Sequence, residues 1–181
     1  QGGLAGQAGG SAGSAGQAGG AALGTFRVDG RRLLDRCGEE VVLRGVNEMV
    51  VWSPGMDGNP EFAEIAKTGA NVVRIVWNNT GSAAQLDTAI ANALAQQLIP
   101  LVENHDATGD LTLLPSAVDY WVRPEIVAVL QKYEHSLLLN IANESGDNTV
   151  TAEAFTAAYQ TAITRLRDTG LKLPLILDAP Q

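Results

Sequence analysis

Apolar residues in this chain gather into short unbroken runs separated by amphipathic stretches. Asn71-Val72-Val73-Arg74-Ile75-Val76-Trp77, Leu98-Ile99-Pro100-Leu101-Val102, Leu137-Leu138-Leu139-Asn140-Ile141 and Leu173-Pro174-Leu175-Ile176-Leu177 read as buried strands. Nearly all-apolar runs, rather than strict alternation, are what a parallel sheet covered by helices on both faces requires. The stretches between them carry helical spacing. Pro60 stands at a first helical position, Phe62, Ile65 and Ala66 face inward, and Gly69 stops the helix. Ser82 and Gln85 form a capping box ahead of Leu86, Ile90 and Leu94. Ser116 and Asp119 suggest another cap, and Pro124 breaks or restarts the helix that follows. Thr151 caps a helix carrying Phe155, Tyr159, Ile163 and Leu166, which Gly170 ends.

Upstream of this rhythm the pattern changes twice. Residues 1–24 are Gly, Ala, Ser and Gln with almost no large apolar side chains. Such a segment cannot offset the entropy of ordering itself and is expected to be a flexible linker. Tethers of this kind commonly join an export signal or lipid anchor to a surface domain, so a secreted or cell-surface-tethered protein is the expectation, although no signal peptide is visible. Residues 25–181 form the folded domain. It opens with a hairpin, Phe26-Arg27-Val28 and Leu33-Leu34 around the turn signal Asp29-Gly30. Val41-Val42-Leu43 and Gly45-Val46-Asn47-Glu48 follow, and the first strand of the parallel sheet is counted from Val41.

Repeated strand–helix units define an α/β fold, either a barrel or an open doubly wound sheet. Neither GxGxxG nor GxxxxGK[ST] follows the first strand, which disfavours a nucleotide-binding open sheet. A (β/α)8 TIM barrel takes eight units and about 250 residues, and only about five strands fit here. The fold class expected is a TIM barrel truncated after about the fifth strand, preceded by an N-terminal β-hairpin.

Composition narrows the function. The formal net charge of −8 lacks the basic stripe a nucleic-acid surface needs. No apolar run is long enough to span a bilayer. Cys37 is the only cysteine, which excludes an intramolecular disulfide. The two histidines, His105 and His135, lie at opposite ends of strands, so no metal cluster forms and no cofactor is expected.

The most informative segment is LNIANESG, 139–146. Glu144 follows a buried strand and so stands at the strand's carboxyl end, the catalytic face of a barrel. A glutamate there is a candidate proton donor, and the amide of Asn143 can fix a substrate hydroxyl; a plain surface turn is the bland alternative. Arg74, inside VVRIV, requires an acidic partner, whether structural or at the site. His105 follows the third strand, and Glu103, two residues before it, can hydrogen-bond within the barrel. Trp52 and Trp77 follow the first two strands and are candidate sugar-stacking platforms, whereas Trp121 on a helix reads as core. Asp178 stands on the site face after strand five, and His135 on the opposite one.

LRGVN, IAKTGANVVRIV, LVENHDATG, NIANE and RLRDTGL with LILDA occur in this order. The series resembles glycoside hydrolase family 5, and within it bacterial endo-β-1,4-mannanases, from roughly Phe26 to Gln181. The resemblance implies retaining hydrolysis of a β-1,4-linked polysaccharide by two glutamates. Glu144 matches the acid/base, Asn143 the amide that binds the sugar 2-hydroxyl, Arg74 an arginine that holds the nucleophile carboxylate, and His105 a histidine that shapes the site. Trp52 falls where related mannanases place a cleft aromatic. The nucleophile belongs after a seventh strand, which the count does not reach. Glu48 stands where related mannanases often have histidine, and Ser145 where an aromatic or proline is usual; both are expected to line the cleft and weaken the choice of mannan. An endo-β-1,4-glucanase and a non-catalytic carbohydrate-binding barrel remain as alternatives.

Overall fold

The computed structural model describes residues 24–181; residues 1–23 of the predicted linker lie outside the described residues. Arg27–Asp29 (β1) and Arg32–Leu34 (β2) pair antiparallel with Asp29 opposite Arg32, so the turn falls on Gly30 and Arg31, one residue beyond the predicted pair. Val41 donates its backbone N–H to Leu33 O at 2.8 Å. The run Val41-Val42-Leu43 therefore closes off the hairpin, and the parallel sheet starts later than predicted, at Gly45–Glu48 (β3).

From β3 onward strands and helices alternate. Glu61–Ala66 (α1) leads to Val72–Trp77 (β4), Ala83–Ala95 (α2) to Ile99–Asn104 (β5), and Leu114–Trp121 (α3) with Pro124–Lys132 (α4) to Leu138–Asn140 (β6). Ala152–Asp168 (α5) precedes the short Leu175–Ile176 (β7). The sheet order is β3-β4-β5-β6-β7 and every pairing is parallel. This is the strand–helix course of a (β/α)8 barrel carried through five strands, with the hairpin ahead of it.

The helix boundaries follow local chemistry. Ser82 Oγ accepts from Gln85 N, and the Gln85 side chain accepts from Ser82 N at 3.0 Å, completing the predicted box. Thr151 caps α5 by accepting from Ala154 N. The predicted cap at Ser116 and Asp119 is not one. The start is set instead by Asp110, which accepts from Thr112 N at 2.8 Å and opens a 3-10 turn that runs into α3. Ser116 and Asp119 sit inside α3, where Ser116 Oγ accepts from Asn79 and Asp119 pairs with Arg165 at 2.7 Å.

Register sorts the strand side chains onto two faces. Val73, Ile75 and Trp77 on β4, Val102 on β5, and Leu137 and Leu139 around β6 join Leu86, Ile90, Trp121, Leu130, Tyr159 and Leu166 in the core beneath the helices. The opposite face lines the barrel interior. Asn47, Arg74, Leu101 and Leu138 lie side by side across the strands there, and one step further along Val76, Glu103, Asn140 and Ile176 do the same. Runs that look uniformly apolar thus place a polar stripe inside the barrel at the carboxyl ends of the strands. Gly45 is required where β3 enters the sheet: a Cβ there would lie 1.8 Å from Val72 O.

Candidate active site

Arg74 is the hub of the inner stripe. Its Nη2 donates to Asn143 Oδ1 at 2.8 Å and to Asp178 Oδ2 at 2.9 Å, while Nη1 lies 3.8 Å from Glu103 Oε1. One guanidinium therefore stands between two carboxylates contributed by β5 and by the segment after β7. Asn140 Nδ2 donates to the same Asp178 oxygen at 2.8 Å. The acid that Arg74 was expected to hold was placed after a seventh barrel strand; the acid it holds in this structure is Asp178, after β7, the fifth strand of the parallel sheet.

Asn143 is fixed from three sides. Its backbone N–H donates to Asn104 O at 2.8 Å, its Oδ1 accepts from Arg74, and its Nδ2 donates to Thr108 Oγ1 at 3.0 Å. Thr108 Oγ1 in turn donates to His105 O at 2.9 Å. The next residue, Glu144, is exposed and has a backbone φ of 36°. A left-handed conformation is unusual for a residue with a Cβ and costs about 1–2 kcal/mol. Gly109 N holds it there by donating to Glu144 O at 3.0 Å. The loop after β6 is thus pinned to the loop after β5, and the turn projects Glu144 outward at the carboxyl end of the sheet.

His105 and Trp52 form the next part of this face. His105 Nδ1 lies 2.9 Å from Glu103 Oε1, and its ring meets the Trp52 indole edge-on, with centroids 5.7 Å apart. Trp52 sits in the 3-10 turn after β3 and is 64% exposed, the largest flat apolar surface beside the site. Glu103 itself is fully buried, and desolvation pushes its carboxyl above the ordinary range, against the opposing pull of His105 and Arg74.

Three expected cleft residues lie elsewhere. Trp77 is a core residue: its indole N–H donates to Tyr120 Oη at 2.6 Å, and Tyr120 O–H donates to Gly81 O at 2.9 Å. The indole fills the space over Gly81, where a Cβ would come within 2.3 Å of the ring. Glu48 pairs in register with Ile75, on the helix-facing side of the sheet, and burial together with the nearby Glu61 on α1 raises its carboxyl. Neither contact brings it to Arg74. Ser145 is fully buried beneath the turn instead of lining a cleft. Trp121 is core as expected, with its N–H donating to Ile141 O at 2.9 Å.

Asn140, Thr108 and Asn104 were missed by the sequence reading. Asn140 carried a usable signal: a polar residue two positions after Leu138 shares its inward face. Thr108 and Asn104 act through loop contacts, which no periodicity reveals. Among the described residues no group of three or more His, Cys, Asp or Glu could hold a metal ion, and no helix is long and apolar enough to cross a membrane.

No protein-family model matches the chain. Curated relatives do. The mannan endo-1,4-β-mannosidase of Streptomyces lividans is 38% identical over 169 residues, 88% of this chain and 43% of that protein. The chain is similar to part of a β-mannanase. In the same way, the mannohexaose complex of the Thermomonospora fusca β-mannanase superposes with a TM-score of 0.78 at 34% identity, over 86% of this chain and 55% of that one. The chain spans about half the length of the mannanases it matches. A GH5 cellulase from an Icelandic hot spring isolate shares the fold, with a TM-score of 0.63 at 22% identity over 87% of this chain and 52% of that one. These mannanases are glycoside hydrolases, and the (β/α)8 course seen here is theirs.

Proposed function

We propose that this chain is the first five-strand part of the barrel of a retaining family 5 glycoside hydrolase that cleaves β-1,4-mannan internally. The observation that carries the reading is the Arg74–Asn143–Glu144 arrangement: a guanidinium from within β4 and an amide after β6 locked together, with a carboxyl projecting from the next residue. In this reading Glu144 is the general acid/base. A second carboxylate, about 5–5.5 Å away on the opposite side of the sugar, attacks the anomeric carbon. As the C–O bond breaks, Glu144 gives its proton to the leaving oxygen. The resulting Glu144 carboxylate then takes a proton from water, the hydroxyl attacks the anomeric carbon, and the nucleophile leaves with its negative charge restored. The nucleophile comes from a later strand of the barrel, outside residues 1–181.

Asn143 holds a hydroxyl of the sugar, Trp52 supplies a stacking face, and His105 lines the cleft beside it. Mannan is favoured over glucan by the identity to mannanases and by the placing of the two departures. Glu48 turns to the helix side and Ser145 is buried, so neither weighs on what the cleft accepts.

The test is turnover on soluble β-mannan and carboxymethyl-cellulose, read as new reducing ends, for a protein that carries the complete barrel. Mannan is expected to be hydrolysed faster, and Glu144→Gln to lose about 10²–10⁴-fold through the missing proton donor. The chain of residues 1–181 alone is expected to show no turnover. Turnover by this chain that Glu144→Ala abolishes would overturn the division of carboxylates.

A further inference from the structure

The deepest titratable group at this face is Glu103, which no step of the hydrolysis above uses. Its side chain is fully buried on the inner face of β5. A buried carboxyl is costly unless partners compensate it, and a leucine would fill the space without that cost. Only one of its oxygens is served. Oε1 faces His105 Nδ1 at 2.9 Å and Arg74 Nη1 at 3.8 Å, whereas Oε2 is buried without a hydrogen-bond partner among the described residues. Fold stability does not ask for this arrangement, but orientation of the histidine does. An imidazole has two neutral tautomers, and the group bonded to one nitrogen decides which of them is present.

We propose that Glu103 is a positioning residue that holds His105 as the Nδ1–H tautomer, leaving the Nε2 lone pair as an acceptor beside the Trp52 platform. The guanidinium on the same oxygen opposes the desolvation that favours the neutral acid; with the carboxyl ionised, Oε1 accepts and the ring donates. A neutral carboxylic acid would do the reverse: its O–H would donate to Nδ1 and the ring proton would move to Nε2. The identity of the histidine proton thus reports which way this hydrogen bond runs. An acceptor facing the cleft suits a substrate hydroxyl, which is where the inference rests on the glycosidase reading; the tautomer itself does not depend on it.

The experiment is a long-range 1H–15N correlation spectrum of the uniformly labelled 181-residue chain near pH 8, where an unperturbed imidazole is neutral. His135, at the other end of the strands, is the internal control, because the sequence holds only two histidines. The expected wild-type pattern for His105 is a protonated Nδ1 and a bare Nε2. Glu103→Gln, which keeps an acceptor oxygen beside Arg74, is expected to retain that pattern. Glu103→Leu is expected to lose it, with the ring proton shifting to Nε2, while the His135 signals stay in place. A wild-type His105 protonated on Nε2 would overturn the proposal before any variant is made. So would an Nδ1–H pattern that survives Glu103→Leu in a chain whose His135 signals are unchanged. Turnover enters none of these readouts, so failure of the mannanase reading and failure of this one are told apart.

Discussion

Arg74 reaches across the sheet to Asn143, 69 positions later in the chain, and holds its side-chain oxygen at 2.8 Å. The arginine comes from the middle of β4 and the asparagine from the turn after β6. The contact spans the intervening strand, so it fixes the turn that carries Glu144 relative to the barrel wall.

Removal of this cation is expected to be felt in stability as well as in the site. Arg74→Ala leaves Asn143 Oδ1 and Asp178 short of a donor and the buried Glu103 short of a counter-charge. Breaking a fully buried pair costs about 3–5 kcal/mol; with Arg74 and Asp178 partly exposed, a loss of about 2–3 kcal/mol is expected in urea unfolding. Arg74→Lys should fall between, because a single ammonium cannot reproduce the planar fork. An Arg74→Ala chain as stable as wild type would show that the stripe is held by something else.

Glu144 pays a conformational cost for its place. With φ at 36°, Glu144→Gly is expected to be more stable than Glu144→Ala by about 1 kcal/mol, although both remove the carboxyl. Melting temperatures of the two variants measure the difference. Equal values would mean that the turn relaxes when the side chain is cut back.

Tyr120 links β4 to α3 through Trp77 and Gly81, and burial pushes its phenol up to about 12. A group raised above its unfolded value of 10.0 stabilises the fold fully below that value. The contribution is then lost as pH rises from 10 toward about 12. Alkaline unfolding should therefore be steep in that window and shallower in Tyr120→Phe, with a residual slope from Tyr159, whose burial also raises its phenol. At neutral pH Tyr120→Phe orphans the Trp77 N–H, at a cost of about 1–3 kcal/mol.

Glu103 gives the opposite end of the pH scale. Burial raises its carboxyl above 4.5, so its favourable contribution is complete below that pH and is lost as pH climbs through the folded value. The stability of Glu103→Gln relative to wild type is expected to rise from pH 4 to pH 7, measured as the difference in melting temperature. A constant difference would mean that partners fully offset the burial.

The sequence made the barrel course readable because caps or glycines mark ends of several helices between the buried runs, as at Ser82, Thr151, Gly69 and Gly170. Which face a residue takes was harder, since both faces of these strands are covered and an apolar run does not announce its inside. Counting in twos would have helped. Trp77 is three positions from Arg74 and must point the other way, into the helices. The same count puts Asn140 on the face of Leu138, and the strand register then sets it beside Glu103. Glu48 misled because its match to a histidine position of related mannanases was taken as its direction, whereas its partner Ile75 faces away. The loop contacts of Thr108 and Asn104 depend on where two loops meet in space, and no spacing along the chain encodes that.

The order β3-β4-β5-β6-β7 across the sheet is also the order in which these strands leave a ribosome. Each new strand docks on the edge left by the one before it, so no hydrogen-bonded ladder has to open to admit a latecomer. Arg74 emerges early and gathers its partners one at a time, Glu103 first, Asn143 next and Asp178 last. At elongation rates of about 5–20 residues per second, those arrivals are separated by seconds. A pause after the turn at Glu144 would leave a nascent chain with that turn formed and its central cation still waiting for the second carboxylate.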